Sequence, residues 1–227
     1  MDEGPKLVTD LLLPERDGGY AKGYETRELI LRKALHILIE EGYPAMSMRR
    51  IAAASGLRLG NLTYHYPTRE DLVRELLNAV ISSYEVEFAA IVQAPGVPPE
   101  ERLAQVCGLI IDDIGSKKTT RLFPELWALA NHDAFVYERV HELYDRARAP
   151  IFEIVSEMRP DLCEADRFDL SLFISASMEG LTVFAGYQRP YAERLPAVEA
   201  IAIRSFIDIV RSFVGASPHS PPGSARS

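Results

Sequence analysis

From Tyr24 to Gly215 the apolar residues of this 227-residue chain recur at intervals of three and four, and strand-like alternation is nearly absent. That period commits the chain to helices packed by their apolar stripes. The expected class is all-α, with about nine helices. The first runs over Glu25–Glu41, with Ile30, Ala34, Leu35, Ile37 and Leu38 as its stripe, and Gly42 and Pro44 end it. A short second helix starts with Ser47 as N-cap, buries Met48, Ile51 and Ala52, and stops at Ser55 and Gly56. A third covers Arg58 to Tyr66. Pro67 closes it, and Thr68–Asp71 opens a long fourth helix, reaching to near Ala94, with a capping-box pattern. After the break APGVPPE (94–100), helices are expected over Glu101–Ser116, Phe123–Asn131, Phe135–Met158, Glu164–Gln188 and Pro196–Gly215.

The two ends read differently. Residues 1–23 are polar and turn-rich, a flexible N-terminal arm. Residues 216–227, ASPHSPPGSARS, are of low complexity and read as a disordered tail. The N-terminus lacks the basic-then-apolar run of a signal peptide, and no stretch nears the roughly 20 apolar residues of a membrane span. The expected location is the cytoplasm, with no membrane partner. Cys107 and Cys163 stand far apart, with no CxxC pair and no His at zinc spacing. Neither a disulfide scaffold, a metal nor another cofactor is expected.

The formal charge is −8, which argues against a polyanionic partner until its distribution is considered. Residues 1–23 carry a net −2, residues 24–84 a net +1, and residues 85–227 a net −7. Within Gly42–Arg69 stand Arg49, Arg50, Arg58 and Arg69 and no acid. Guanidinium groups pair with phosphates through a planar fork, so this island is a candidate polyanion-facing surface. A solvated face without carboxylates is the plainer explanation, and charge alone does not choose.

The third helix does. Two short helices joined by a Gly-containing turn and held by a longer preceding helix form a helix-turn-helix arrangement. At 100° per residue, Leu59, Leu62 and Tyr66 fall together and face the supporting helices. Gly60, Asn61, Tyr64 and His65 fall on the opposite side, with no aliphatic residue among them. Taken singly, a His or Tyr is more often core. Together they make a face that can meet DNA: Asn and His reach base edges, Tyr and Arg reach phosphates, and Gly60 permits close approach. Arg58 leads the helix, whose positive dipole end favours phosphate.

The stretch Thr26–Leu72, TRELILRKALHILIEEGYPAMSMRRIAAASGLRLGNLTYHYPTREDL, resembles the DNA-binding segment of the TetR (tetracycline-repressor-like) family of transcriptional regulators. Ser47, Ile51-Ala52, Gly56-Leu57, Gly60, Leu62, the aromatic helix end and the capped fourth helix carry the likeness. It implies a DNA-binding domain over residues 24–84, a helical ligand-binding and dimerisation domain over 85–215, and a homodimer. It also marks Ser47, Arg49 and Arg69 as phosphate contacts. The candidate DNA contacts are then Ser47, Arg49, Arg58, Leu59, Gly60, Asn61, Thr63, Tyr64, His65 and Arg69. Thr63 stands where many members have Tyr, and Arg58 where Ser or Thr is frequent; both bear on the operator sequence.

Residues 100–215 carry no GxSxG, P-loop or HExxH signature, so no catalytic activity is expected. The aromatic patch at 121–144 and the apolar helix that follows offer Phe123, Trp127, His132, Tyr137, Tyr144 and Met178 as candidate ligand contacts, although ordinary core explains any one of them. Residues 164–188 and 196–215 are apolar around much of their circumference, with small residues among them, and a second subunit is a natural cover. The expected function is a homodimeric repressor, released from a near-palindromic DNA operator by an unidentified small-molecule effector. The alternatives are a ligand-independent regulator or an activator on the same fold, and, from another class, a helical small-molecule-binding protein or enzyme.

Overall fold

The computed structural model describes residues 21–215, and no strand occurs among them. The helices are α1 (Ala21–Glu41), α2 (Met48–Ala54), α3 (Leu59–His65), α4 (Arg69–Val92), α5 (Pro99–Ile114), α6 (Lys117–Ala130), α7 (Ala134–Met158), α8 (Glu164–Glu179), α9 (Leu181–Phe184) and α10 (Leu195–Ser212). Residues 21–23, expected in the arm, belong to α1. The rest of the arm and the tail at 216–227 lie outside the described residues.

Local chemistry sets the ends of the early elements. The Ser47 hydroxyl accepts from the Arg50 amide at 3.2 Å and starts α2. Gly56, at φ +68°, closes α2: its amide donates to the Ala53 carbonyl, and that of Leu57 to the Ala52 carbonyl. This paired closure needs a left-handed residue, which glycine supplies without strain. Thr68 and Asp71 cap α4 reciprocally, the Thr68 hydroxyl taking the Asp71 amide at 3.0 Å. Ile30, Ala34 and Ile37 of α1, Ile51 of α2, Leu62 of α3 and Leu72 of α4 close the N-terminal core.

The rest of the chain packs around α7. Helix α4 is continuous across the expected boundary at residue 84 and carries its buried face (Leu76, Val80, Phe88) into the second half. Arg102, buried at the start of α5, fastens the 94–100 break, donating to the Val92 carbonyl at 2.7 Å and the Val97 carbonyl at 3.2 Å. It also pairs with Glu157 of α7 at 2.6 Å.

Three boundaries depart from the sequence expectation. Helix α6 begins at Lys117 rather than Phe123, because the Ser116 hydroxyl caps the Thr119 amide at 3.1 Å. Pro124 therefore lies inside the helix, where the sequence reading had placed it at the start. The helix expected to reach Gln188 breaks at Gly180 and ends at Phe184. Beyond it the Thr120 hydroxyl takes the Tyr187 amide at 2.8 Å, and Gly186 passes so close to Thr120 that a Cβ would meet its hydroxyl at 2.5 Å. Helix α10 stops at Ser212, where Arg159 takes the Val210 and Phe213 carbonyls at 2.7 and 3.0 Å. No helix among the described residues is long and apolar enough to cross a membrane.

Candidate nucleic-acid interface and internal cavity

Helix α3 divides as an outward-reading helix must. Leu62 and the following Tyr66 are fully buried, whereas Gly60, Asn61 and Tyr64 are exposed, Tyr64 to 84%. Leu59, expected to face inward with Leu62, is instead 39% exposed at the lip of the helix. Thr63 turns its hydroxyl back to the Gly60 carbonyl at 3.2 Å, and His65, half-buried, meets the Tyr64 ring edge-on at 5.3 Å. The outer face thus presents an amide and a phenol, the kinds of group that contact base edges and phosphates.

The four island arginines are not equivalent. Arg49 and Arg58 are exposed and have no carboxylate partner among the described residues. Arg50 pairs with Glu41 at 2.6 Å, an exposed contact that contributes little and leaves its guanidinium exchangeable. Arg69 is held: its guanidinium stacks 3.8 Å over the Tyr43 ring and donates to the Tyr43 carbonyl at 3.3 Å. Ser47 is exposed, with its oxygen engaged as a cap.

Behind α3, Arg27 of α1 and Glu75 of α4 form a buried ion pair, with a 2.9 Å bond from the Arg27 Nε. The Tyr66 ring closes over this pair, and burial pushes its hydroxyl pKa up.

In the second half, α4–α8 enclose a cavity of about 50 Å3, its lining including Ile81, Tyr84, Phe88, Asp113, Phe123, Tyr144 and Glu179. Of the six candidate ligand contacts, Phe123 and Tyr144 line it. Trp127 stands behind, donating its indole N–H to the Tyr144 oxygen at 2.8 Å. Met178 is buried but faces elsewhere, and His132 and Tyr137 lie exposed. Sequence reasoning missed the polar members. Tyr84, Asp113, Thr119 and Glu179 come from four helices and meet only through tertiary packing. Both the Tyr84 and Thr119 hydroxyls donate to Asp113, which Lys118 approaches at 3.6 Å. Glu179 keeps one buried oxygen without a hydrogen-bond partner, and burial pushes its carboxyl up to about 7.

The wall of the cavity is tied to the end of α1. Helix α6 carries Thr119 and Phe123 at the cavity, and its Lys117 and Arg121 hold Glu40 at the end of α1 at 2.5 and 3.4 Å. Glu125 of α6 accepts from the Tyr43 amide at 3.3 Å.

The closing helices split the residues expected at an interface. Ile174, Met178, Phe206 and Val210 are buried within the chain. Phe168, Leu172, Phe173, Val183, Phe184 and Ile201 are exposed.

Residues 30–76 match the family model described as bacterial regulatory proteins, tetR family. Residues 99–209 match that of the BetI-type transcriptional repressor, C-terminal. No curated protein matches the chain. Among solved structures, a TetR-family transcriptional regulator from Mesorhizobium loti MAFF303099 superposes with a TM-score of 0.67 at 16% identity, over 84% of this chain and 98% of the other. A transcriptional regulator from Streptomyces coelicolor A3(2) gives 0.62 at 25% identity, over 82% and 98%. One from Saccharomonospora viridis, in complex with choline, gives 0.62 at 17%, over 84% and 97%.

Proposed function

Because the chain belongs to the TetR family of transcriptional regulators, which act by binding DNA, we propose that it works as a homodimeric repressor released from a near-palindromic operator by a small molecule. The observation that carries this reading is the outer face of α3, where Asn61 and Tyr64 stand exposed, together with Arg49 and Arg58, which have no carboxylate partner among the described residues. Nothing in the fold requires those side chains there, and all suit a major groove.

The exposed apolar side chains of α8, α9 and α10 support the dimer. Full burial of one such side chain stabilises an assembly by roughly 1.5–3 kcal/mol. An isologous pairing of this face covers both copies at once. It also sets two recognition helices to read half-sites about 34–36 Å apart. The repressor sense is supported by the BetI-type match over 99–209. Release by ligand is supported by the cavity and by the α6 contacts to Glu40 and Tyr43, which tie its wall to the base of α1. Ligand and operator would favour different arrangements of these contacts, a coupling commonly worth about 1–3 kcal/mol.

Selection of bound fragments from random and genomic DNA tests the proposal directly. The expected yield is a two-fold-related pair of half-sites about one helical turn apart, bound by two chains. Recovery of no enriched sequence would overturn it.

A further inference from the structure

We propose that Arg69 and Tyr43 form a clasp that closes the reading unit α2–α3 into a ring, and that Arg69 acts on DNA recognition through this clasp, as a positioning residue and not as a phosphate contact. The inference rests on the reading of α3 as the DNA-facing helix, and it departs from the role that the family resemblance implies for Arg69.

The two residues stand at the two ends of the unit. Tyr43 opens the turn Tyr43–Ala45 ahead of α2, and Arg69 is the first residue of α4, behind α3. They are 26 positions apart in the chain, yet the Arg69 guanidinium lies 3.8 Å over the Tyr43 ring and its Nη2 donates to the Tyr43 carbonyl at 3.3 Å. That carbonyl also takes the Met46 amide at 3.0 Å, and the Tyr43 amide donates to Glu125 of α6 at 3.3 Å. Tyr43 is thus held by its ring, its carbonyl and its amide at once. Met46, fully buried, and Ser47, the cap of α2, follow directly, so a fixed Tyr43 fixes where α2 begins. At the other end only Tyr66, Pro67 and Thr68 separate α3 from Arg69.

The same geometry makes Arg69 a poor phosphate ligand. A phosphate grips a guanidinium best through two parallel N–H groups. The Nε–Nη2 edge of Arg69 is closed to that grip, because Nη2 is given to the carbonyl and Nε is buried without a hydrogen-bond partner. Swinging the side chain out to DNA would give up both the stack and the carbonyl. Arg49 and Arg58, exposed and without a carboxylate partner among the described residues, bear no such cost. A lysine at position 69 would keep the charge but lose the planar stack with its directed donor.

The test is the affinity of the full chain for its selected operator and for sheared DNA of unrelated sequence, over a range of salt. In Arg69→Met the operator affinity should fall at least ten-fold. Affinity for unrelated DNA, and the slope of log affinity against log salt, should stay at the parent's values. Arg69→Lys should not restore the operator affinity. Tyr43→Leu should show the same loss, the double variant no further one, and Tyr43→Phe, which keeps the ring, none. A lost phosphate contact would instead lower both affinities together, flatten the slope by about 1 and be restored by lysine. A merely structural contact would lower the melting temperature and leave the operator affinity of the folded variant intact. Either of these results overturns the inference and leaves the DNA-binding reading standing. Should Tyr43→Leu fail to fold, Arg69→Met and Arg69→Lys decide by themselves. A parent chain that selects no DNA sequence removes the reading itself, and the positioning role with it.

Discussion

Arg27 of α1 and Glu75 of α4 form a buried ion pair directly beneath Tyr66, the residue that caps the end of α3. Both side chains are less than a tenth exposed, at 7% and 9%. Three elements of the N-terminal half therefore meet at one buried polar contact.

Removing one partner should be far worse than removing both. Arg27→Ala leaves the Glu75 carboxylate buried without that guanidinium, a change expected to cost about 3–5 kcal/mol. The double variant Arg27→Met with Glu75→Leu should come much closer to the parent, because an apolar pair needs no charge compensation. Urea unfolding followed by helical circular dichroism measures both. A single variant as stable as the double would show that the pair does not hold α3.

Tyr64 offers the opposite contrast. At 84% exposure it packs on little besides His65, so Tyr64→Ala should leave helicity and unfolding midpoint unchanged while lowering operator affinity at least ten-fold. Tyr66→Ala, two residues on, should unfold the segment, since that ring is fully buried. Arg58→Ala should weaken binding alike across DNA sequences. It should also flatten the slope of log affinity against log salt by about 1, the signature of one lost phosphate contact.

What could be read from the sequence was what neighbouring residues decide among themselves. Ser47, Gly56 and the Thr68–Asp71 box fix their helix ends through partners two to four residues away, and each does in the structure what its spacing indicates. The inward–outward split of α3 was legible for the same reason, except at Leu59, where a seven-residue helix leaves its first turn only half covered. Helix α6 starts six residues before the expected Phe123 because Ser116, expected to end the preceding helix, instead caps the next one. The break at Gly180 depends on Thr120, about sixty residues distant, catching the chain at Tyr187. The cavity was legible only in its aromatic part. Tyr84, Asp113 and Glu179 come from three helices, and no local period records their meeting.

The apolar face of α8–α10 makes a prediction about assembly. Phe184 is 60% exposed and makes little contribution to the core of its own chain. Phe184→Glu, or Leu172→Glu on the neighbouring helix, should therefore preserve helicity and thermal stability measured at low concentration. Sedimentation at micromolar concentration should show the parent as a dimer and the variants as monomers. Operator binding should fall with the dimer, since one recognition helix reads only half of a palindromic site. Dimeric variants with full affinity would place the interface elsewhere.

Glu179, one oxygen of which is buried without a hydrogen-bond partner among the described residues, makes the chain's stability depend on pH in a specified direction. Burial raises its carboxyl from the usual 4.5 to about 7, with the charge of Asp113 adding to the effect and the Tyr144 hydroxyl opposing it. The folded state therefore holds this proton over a pH range in which the unfolded chain has already released it. Between about pH 4.5 and 7 the folded form binds more protons, so stability falls as pH rises; the loss is complete above about 7 and absent below about 4.5. A displacement of this size corresponds to roughly 3–4 kcal/mol. Of the groups that share the cavity, the Tyr84 and Tyr144 phenols are raised by burial and stay protonated throughout. Burial also raises the Glu199 carboxyl, so the part of the slope that Glu179→Gln removes is the part assigned to Glu179. Glu179→Gln should flatten the stability profile over that window and make the chain more stable than the parent at pH 8, as read from urea midpoints at a series of pH values. An unchanged slope in Glu179→Gln would assign the dependence to another group.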